Sequence, residues 1–338
     1  MATQTAASNT KGPLVSELRA GERIVGYYFV RQKQLEPFRD RERGEYLSLV
    51  LSDRSGQIPA RVWENAPALA QTFEAGVIVK VAADVEEYNG RLQLIIHRLR
   101  AAELGEAELT DFLPSTNRDV GAMLAYVQER AQAISDPAIA TLVKSFYGDE
   151  DFVGRLQRGP ASRRMHHAYL AGALEHVYEM LHLAEPLLEL YPAINADVLR
   201  AGILLRAVGL LRGYGWTADI DYTDAGRLIG DVALGDEEIT RAMAAVPELP
   251  PELCLRLRHM LISHRGRSEW GSPRVPQTLE ALAMHHLESV SVQMNRFQQL
   301  IENRRDPNQP WTSFDRLLGR TLFAGYDGEA DRSLDDEE

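Results

Sequence analysis

The chain has one cysteine, Cys254, among 338 residues. A single thiol excludes an intramolecular disulfide and leaves too few sulfur ligands for a zinc ribbon. No apolar run approaches the ~18 residues of a membrane-spanning helix. The opening residues 1–10 lack the charged start and apolar middle of a secretory signal. A cytoplasmic location with no membrane partner is therefore expected. A Gly-rich phosphate loop is missing, since Gly209, Gly213 and Gly215 do not match its spacing. The strand-turn-helix elbow of a nucleophilic serine is missing too, as is any internal repeat of 20–50 residues. Positive charge is scarce: the net charge is −12. Half of it lies in residues 327–338, which hold seven acidic residues and Arg332 and read as a solvated, disordered tail (a nucleic-acid mimic is the functional alternative). Residues 12–100 carry 13 basic and 12 acidic residues, a net of +1. Any nucleic-acid binding must then come from local patches and stacking, not from long-range attraction.

What is present suffices for about two domains: 45% of residues are hydrophobic. Residues 1–13 read as a flexible leader, 14–105 as a β domain, 106–160 as a helical connector, 161–320 as a helical domain and 326–338 as the acidic tail. In the β domain, strand-forming runs occur at 24–30, 46–51, 58–63, 77–81 (continuing toward Tyr88) and 91–96. Asn89-Gly90 is a strong hairpin signal between the last two. A short helical piece at 66–73 separates strands three and four. Five strands with a helix in that place are the plan of an OB-fold, a small Greek-key barrel. Beyond Pro114 the pattern is helical: a run from His166 to Leu190 stopped by Tyr191-Pro192, a helix capped by Asn195 or Asp197, then helices near 236–246, 250–264 and 277–302.

An OB barrel offers one face to single strands or oligosaccharides, with aromatics for stacking and cations for the backbone. The candidates are Tyr27, Phe29, Arg31, Lys33, Phe38, Tyr46, Arg61, Trp63, Tyr88 and Arg91, with Arg39, Arg41 and Arg43 in a mixed-charge loop. Tyr27 and Phe29 point to one face of their strand and Tyr28 to the other. Which set is core stays open. Trp63, at a strand end, reads as core.

The second half carries His176, then Arg206-Ala207, Asp231, Ser263-His264-Arg265-Gly266 and Glu288. That order resembles an HD-type metal-dependent phosphohydrolase, in which two metals activate water for phosphoryl displacement. The resemblance sharpens over roughly residues 14–301, on Asp53-Arg-Ser-Gly-Gln-Ile-Pro-Ala-Arg-Val-Trp63, His166-His-Ala-Tyr-Leu-Ala-Gly-Ala-Leu-Glu-His176, Tyr222-Thr-Asp-Ala-Gly-Arg-Leu-Ile-Gly230, His259-Met-Leu-Ile-Ser-His-Arg-Gly266 and Glu269-Trp-Gly-Ser-Pro273. Together these resemble the YhaM-like 3′→5′ exoribonucleases, which join an OB-fold to an HD domain. The resemblance implies a five-stranded barrel followed by an HD-like helical bundle.

It also implies a metal site, and here the sequence departs. The first ligand matches His176. The His-Asp dyad falls on Arg206-Ala207, the following lysine on Leu210, and a later histidine on Asp231. Of paired histidines, His264 remains and the second is Arg265; the late aspartate falls on Glu288. Ala207 removes the bridging carboxylate. Arginine has no acceptor and stays protonated, so it cannot ligate a metal. The expectation is that Arg206 and Arg265 pair with Asp231 and Glu288, because buried charges persist mainly when paired.

No residue is assigned as catalytic, and no cofactor is expected. The favoured reading is a catalytically degenerate relative that binds single-stranded RNA or DNA. In a sharper version the two arginines hold a phosphate of the strand; in a plainer one the pocket is simply filled. The enzymatic alternative is a residual 3′→5′ exonuclease or phosphodiesterase with Mn²⁺ or another divalent metal on His176, Asp231, His264 and Glu288. A third reading is an interaction protein with a plugged pocket and homo-oligomers formed through the helical domain. By resemblance His166 and His167 are phosphate contacts; surface or capping roles fit them equally. Of the adjacent His285 and His286, only one can face the site.

Overall fold

The computed structural model describes residues 11–38, 40, 44–103, 105–217, 219–304 and 309–326. Most of the expected leader, the arginines at 39, 41 and 43, and the acidic run 327–338 lie outside the described residues. The chain divides into two compact units, Met1–Ser115 with Trp216–Asp219, and Thr116–Gly215 with Ile220–Glu338. Among the described residues no helix is long and apolar enough to cross a membrane.

The first unit is the expected OB barrel. Strands β1 (Arg23–Pro37), β2 (Glu45–Asp53), β3 (Gly56–Val62), β4 (Ile78–Tyr88) and β5 (Arg91–Ala101) close in the order β1-β2-β3-β5-β4. β3 and β5 close the barrel in parallel and the other pairs are antiparallel. Helix α1 (Ala66–Ala70) lies between β3 and β4 in sequence. Alternation fixes the core: Leu47, Leu49 and Leu51 of β2 and Ile58, Ala60 and Val62 of β3 point inward with Tyr28 and Val30 of β1. Tyr46, Ser48, Arg61 and Trp63 therefore face outward.

Lys11 to Pro13, expected in the leader, is held against this barrel. Lys11 is buried; its ammonium contacts Asp53 Oδ2 at 2.8 Å and Pro13 O at 3.0 Å, and sits over the Tyr28 ring. The other oxygen of Asp53 accepts from the Ser55 amide and hydroxyl. Apolar composition could not mark this segment, because its anchor is a buried ion pair.

The second unit is helical: α2 (Val120–Gln132), α3 (Pro137–Tyr147), α4 (Glu150–Leu156), α5 (Gly172–Leu190), α6 (Ala196–Gly213), α7 (Asp224–Leu228), α8 (Asp231–Met243), α9 (Pro251–Ser263) and α10 (Leu279–Glu302), with a two-stranded ribbon of β6 (Tyr214–Gly215) and β7 (Asp221–Tyr222). Asp119, Asp136, Asn195 and Thr278 cap α2, α3, α6 and α10. Asn195, not Asp197, caps α6; Asp197 accepts from the amides of Ser135 and Asp136 instead. Helix α6 is buried on nearly every side from Val198 to Leu211, as befits a central helix.

The run from His166 is not helical until Gly172. His167 and Ala171 take left-handed φ values of 45° and 62°, which break the helix before α5 starts. The carbonyl of His167 lies so close to Gly172 that a Cβ there would stand 2.1 Å from it. Only glycine fits.

Candidate functional site

Two groups of side chains have chemical potential, one in each unit. On the barrel, Phe38, Tyr46 and Trp63 form a ring cluster with centroids 5.0–5.7 Å apart. Trp63 is 42% exposed, which corrects its reading as core. Strand parity explains this: Val62 points in, so Trp63 points out. Arg61 lies on the same outward face, with its guanidinium over Tyr46, and donates to Ser48 Oγ at 2.7 Å. Tyr88 and Arg91 are exposed and pair across the β4–β5 hairpin.

Four other candidates are covered or already engaged. Tyr27 and Phe29 are buried against Phe112, and Tyr27 donates to Glu106. Both faces of that strand are thus covered, so these rings cannot stack on a ligand. Lys33 donates to the carbonyls of Ala70 and Phe73 and pairs with Glu74, so its ammonium is already engaged. Arg31 donates to Ser52 Oγ and pairs with Asp219.

In the helical unit, α5 supplies His176, α6 Arg206, the start of α8 Asp231, the end of α9 His264 and Arg265, and α10 Glu288. Close backbone packing brings Asp231 to Arg206. A Cβ at Gly209 would lie 2.3 Å from the Asp231 carbonyl, and one at Gly235 would meet Gly209 Cα at 3.1 Å. These glycines serve helix approach, not a phosphate loop. Arg206, 4% exposed, places Nη2 3.1 Å from Asp231 Oδ2 and Nε 3.5 Å from Glu288 Oε1. Arg265 donates to Asp231 Oδ1 at 2.7 Å. His176 Nε2 lies 3.2 Å from Glu288 Oε2, and His264 Nε2 3.7 Å from Glu288 Oε1.

The protonation states follow. Burial works to raise both carboxylates. Arg206 above all nevertheless holds Glu288 well below the usual range, and Arg206 with Arg265 holds Asp231 below it. Burial opposes charge on Arg206, but Glu288 and Asp231 raise its pKa. Burial, then Arg206, pushes His264 down to about 3, leaving it neutral. Two arginines thus balance two carboxylates.

The hydrogen bonding is less complete. Arg206 Nε, His176 Nε2, His264 Nε2, Asp231 Oδ2 and Glu288 Oε2 are buried within ion-pair range yet make no well-directed hydrogen bond. A two-metal cluster does not fit here: Ala207 offers no bridging carboxylate and Arg206 lies among the would-be ligands. The neighbouring cavity measures ≈ 10 Å³ and is lined by residues including Arg206, Gly209, Asp231 and His264. A single water needs about 10–15 Å³, so a phosphate has no room. Nor do His176, Asp231, His264 and Glu288 converge as one ligand set. Among the described residues, the compact clusters of potential ligands are His166–His167–His176 and His167–Glu175–Glu179. By resemblance His166 and His167 are phosphate contacts, with surface or capping roles equally open; both are instead buried in this convergence, which rests on a backbone turn that carries no composition signal.

Residues 29–102 match the tRNA_anti-codon model, an OB-fold nucleic acid binding domain. The chain is 31% identical to the 3′-5′ exoribonuclease YhaM of Shouchella clausii over 287 residues, 84% of this chain and 88% of that one. It is 32% identical to the same-named protein of Bacillus pumilus over 264 residues, 76% and 82% of the two chains. Among solved structures, the second OB-fold domain of replication protein A from Methanococcus maripaludis matches 26% of this chain and 92% of that one, at 21% identity and a TM-score of 0.22. On the extent and identity of the YhaM matches, the chain belongs to the YhaM 3′-5′ exoribonuclease family.

Proposed function

We propose that this protein binds single-stranded RNA in the cytoplasm through its barrel and does not hydrolyse it at the Arg206 pocket. The observation that carries the binding half is the outward cluster of Phe38, Tyr46 and Trp63 with Arg61 above Tyr46. Outward-facing aromatics on which bases can stack, beside a cation, are what sequence-tolerant strand binding requires. RNA is preferred over DNA because the relatives are named exoribonucleases. Loss of hydrolysis is supported by a guanidinium among the ligand positions and by a cavity too small for a phosphate. That volume also favours the filled pocket over the phosphate clamp. The domain plan follows the same reading: an OB-fold for the strand and an HD-like bundle whose pocket is closed by ion pairs.

The test is one assay scored twice on 3′-labelled and 5′-labelled single-stranded RNA with Mn²⁺ and with chelator. Retained binding without shortening is expected, and Trp63→Ala should weaken it. Mn²⁺-dependent shortening from the 3′ end that disappears in His176→Ala would overturn the degenerate reading. Absence of strand binding at modest salt would leave an interaction protein instead.

A further inference from the structure

Beside the Arg206 pocket, three imidazoles meet. The rings of His166, His167 and His176 have centroids 5.1–5.4 Å apart, and all three residues are buried. One nitrogen from each lies within 4.8 Å of the other two. Three buried histidines seldom converge without a cation or a proton chain to hold them, because each lone pair needs a donor.

The hydrogen bonds assign the lone pairs. Ser291 Oγ donates to Glu179 Oε2 at 2.6 Å, so its own lone pairs face His176 Nδ1 at 2.9 Å. His176 Nδ1 therefore donates to Ser291, and its Nε2 lies 3.2 Å from Glu288 Oε2 without a well-directed hydrogen bond, an approach that a cation between them would stabilise. His167 Nε2 donates to Glu179 Oε2 at 3.1 Å, which leaves its Nδ1 bare. That Nδ1 faces His166 Nδ1 at 3.1 Å. A carboxylate on the far nitrogen is the usual way a metal-binding imidazole is oriented. Two nitrogens bound to one tetrahedral zinc stand ~3.3 Å apart, from bonds of about 2.0–2.1 Å. The His166–His167 spacing is close to this.

The turn is also built rigidly. The His167 amide donates to Asn295 Oδ1 at 2.7 Å, its carbonyl accepts from Ala161, and its left-handed backbone is locked against Gly172.

We propose that His166, His167 and His176 bind one divalent transition-metal ion of the zinc class, with Glu179 as the positioning carboxylate. Imidazole donors select Zn²⁺, Co²⁺ or Ni²⁺ over Mg²⁺ or Ca²⁺. Binding displaces the proton between the two Nδ1 atoms, which leaves for solvent or moves to His166 Nε2. The site shares His176 with the positions implied by family resemblance but takes its other ligands from the turn before α5. Its role is to fasten that turn to α5 and, through Glu179 and Ser291, to α10. The proposal holds whether or not RNA is cleaved.

The full-length chain, stripped with chelator, is titrated with Co²⁺ and followed by visible absorption and elemental analysis, with thermal melts in parallel. One Co²⁺ per chain is expected, with Zn²⁺ competing and raising Tm. His166→Asn and His167→Gln should each abolish saturable binding, and Glu179→Gln should weaken it about 10–100-fold. His264→Gln should bind as the parent does. Substoichiometric binding in the parent, binding that survives both turn variants, or binding lost in His264→Gln would each overturn the site. If a turn variant fails to fold, X-ray absorption on the zinc-loaded parent decides: three imidazoles are expected, and fewer refute it.

Discussion

The barrel and the helical unit each bury a charge-balanced ion cluster, but the two are finished differently. In the barrel, Lys11 and Asp53 satisfy one another and the backbone around them, with hydrogen bonds to Pro13, Val15 and Ser55. In the helical unit, two arginines and two carboxylates cancel in charge, yet five polar atoms there lack a well-directed hydrogen bond. A pair evolved as a lock has its donors and acceptors matched. A pocket whose residues occupy positions suited to another purpose can match charge before it matches geometry. The chemistry of recognition follows the same division: the barrel displays its aromatic cluster to solvent, and the helical unit seals its charges away.

The largest effect should come from breaking the sealed pocket. Arg206→Ala leaves Asp231 and Glu288 buried beside one remaining guanidinium, at a cost of about 3–5 kcal/mol. Denaturant unfolding should register that loss. Arg206→Met and Arg265→Met combined with Asp231→Asn and Glu288→Gln should recover most of it, since removing a whole buried ion set can be nearly neutral. A recovery of nothing would mean the ion pairs are optimised after all, and the contrast with the barrel would collapse.

Next in size is the barrel surface. Trp63→Ala should weaken single-stranded RNA binding by about 1–3 kcal/mol, or about 5–150-fold, with little loss of stability. Anisotropy titrations measure this; unchanged affinity would remove the ring cluster from the interface. Tyr27→Phe, in contrast, should leave affinity unchanged.

A smaller effect concerns acid. Burial works to raise Asp53, but the Lys11 ammonium and Ser55 hold it below the ordinary carboxylate value of 3.8. Its folded pKa is thus lower than its unfolded one. The lock contributes fully above about pH 4 and is lost as pH falls through the folded value, with a slope of at most about 1.4 kcal/mol per unit. Unfolding measured from pH 5 to 2.5 should show this step in the parent and not in Asp53→Asn.

The smallest effect is expected at Arg91. Its exposed guanidinium can neutralise one phosphate, so Arg91→Ala should reduce the salt dependence of binding by a slope of about 0.7.

Much of the fold was legible because strand alternation and the Asn89-Gly90 turn are local signals. The same parity rule could have turned Trp63 outward, once Val62 was placed inside. The ion pairs of Arg206 and Arg265 were legible because charge cannot be buried alone. Other features depend on distant chain. Phe112 covers Tyr27 and Phe29 from beyond β5, and Lys33 is consumed by carbonyls at 70 and 73. The early start expected for α5 failed because His167 and Ala171 adopt left-handed backbone without being glycine. No propensity records that.

The contact between α6 and α8 works as a spacing gauge. With no side chain at Gly209 or Gly235, the two helix backbones meet directly, and that thickness sets how far Asp231 stands from Arg206. The electrical balance of the pocket is therefore held by a purely steric tolerance at two residues that carry no charge themselves. An added methyl group at Gly209, itself uncharged, would push the helices apart and act on the buried ions as surely as a mutation of one of them.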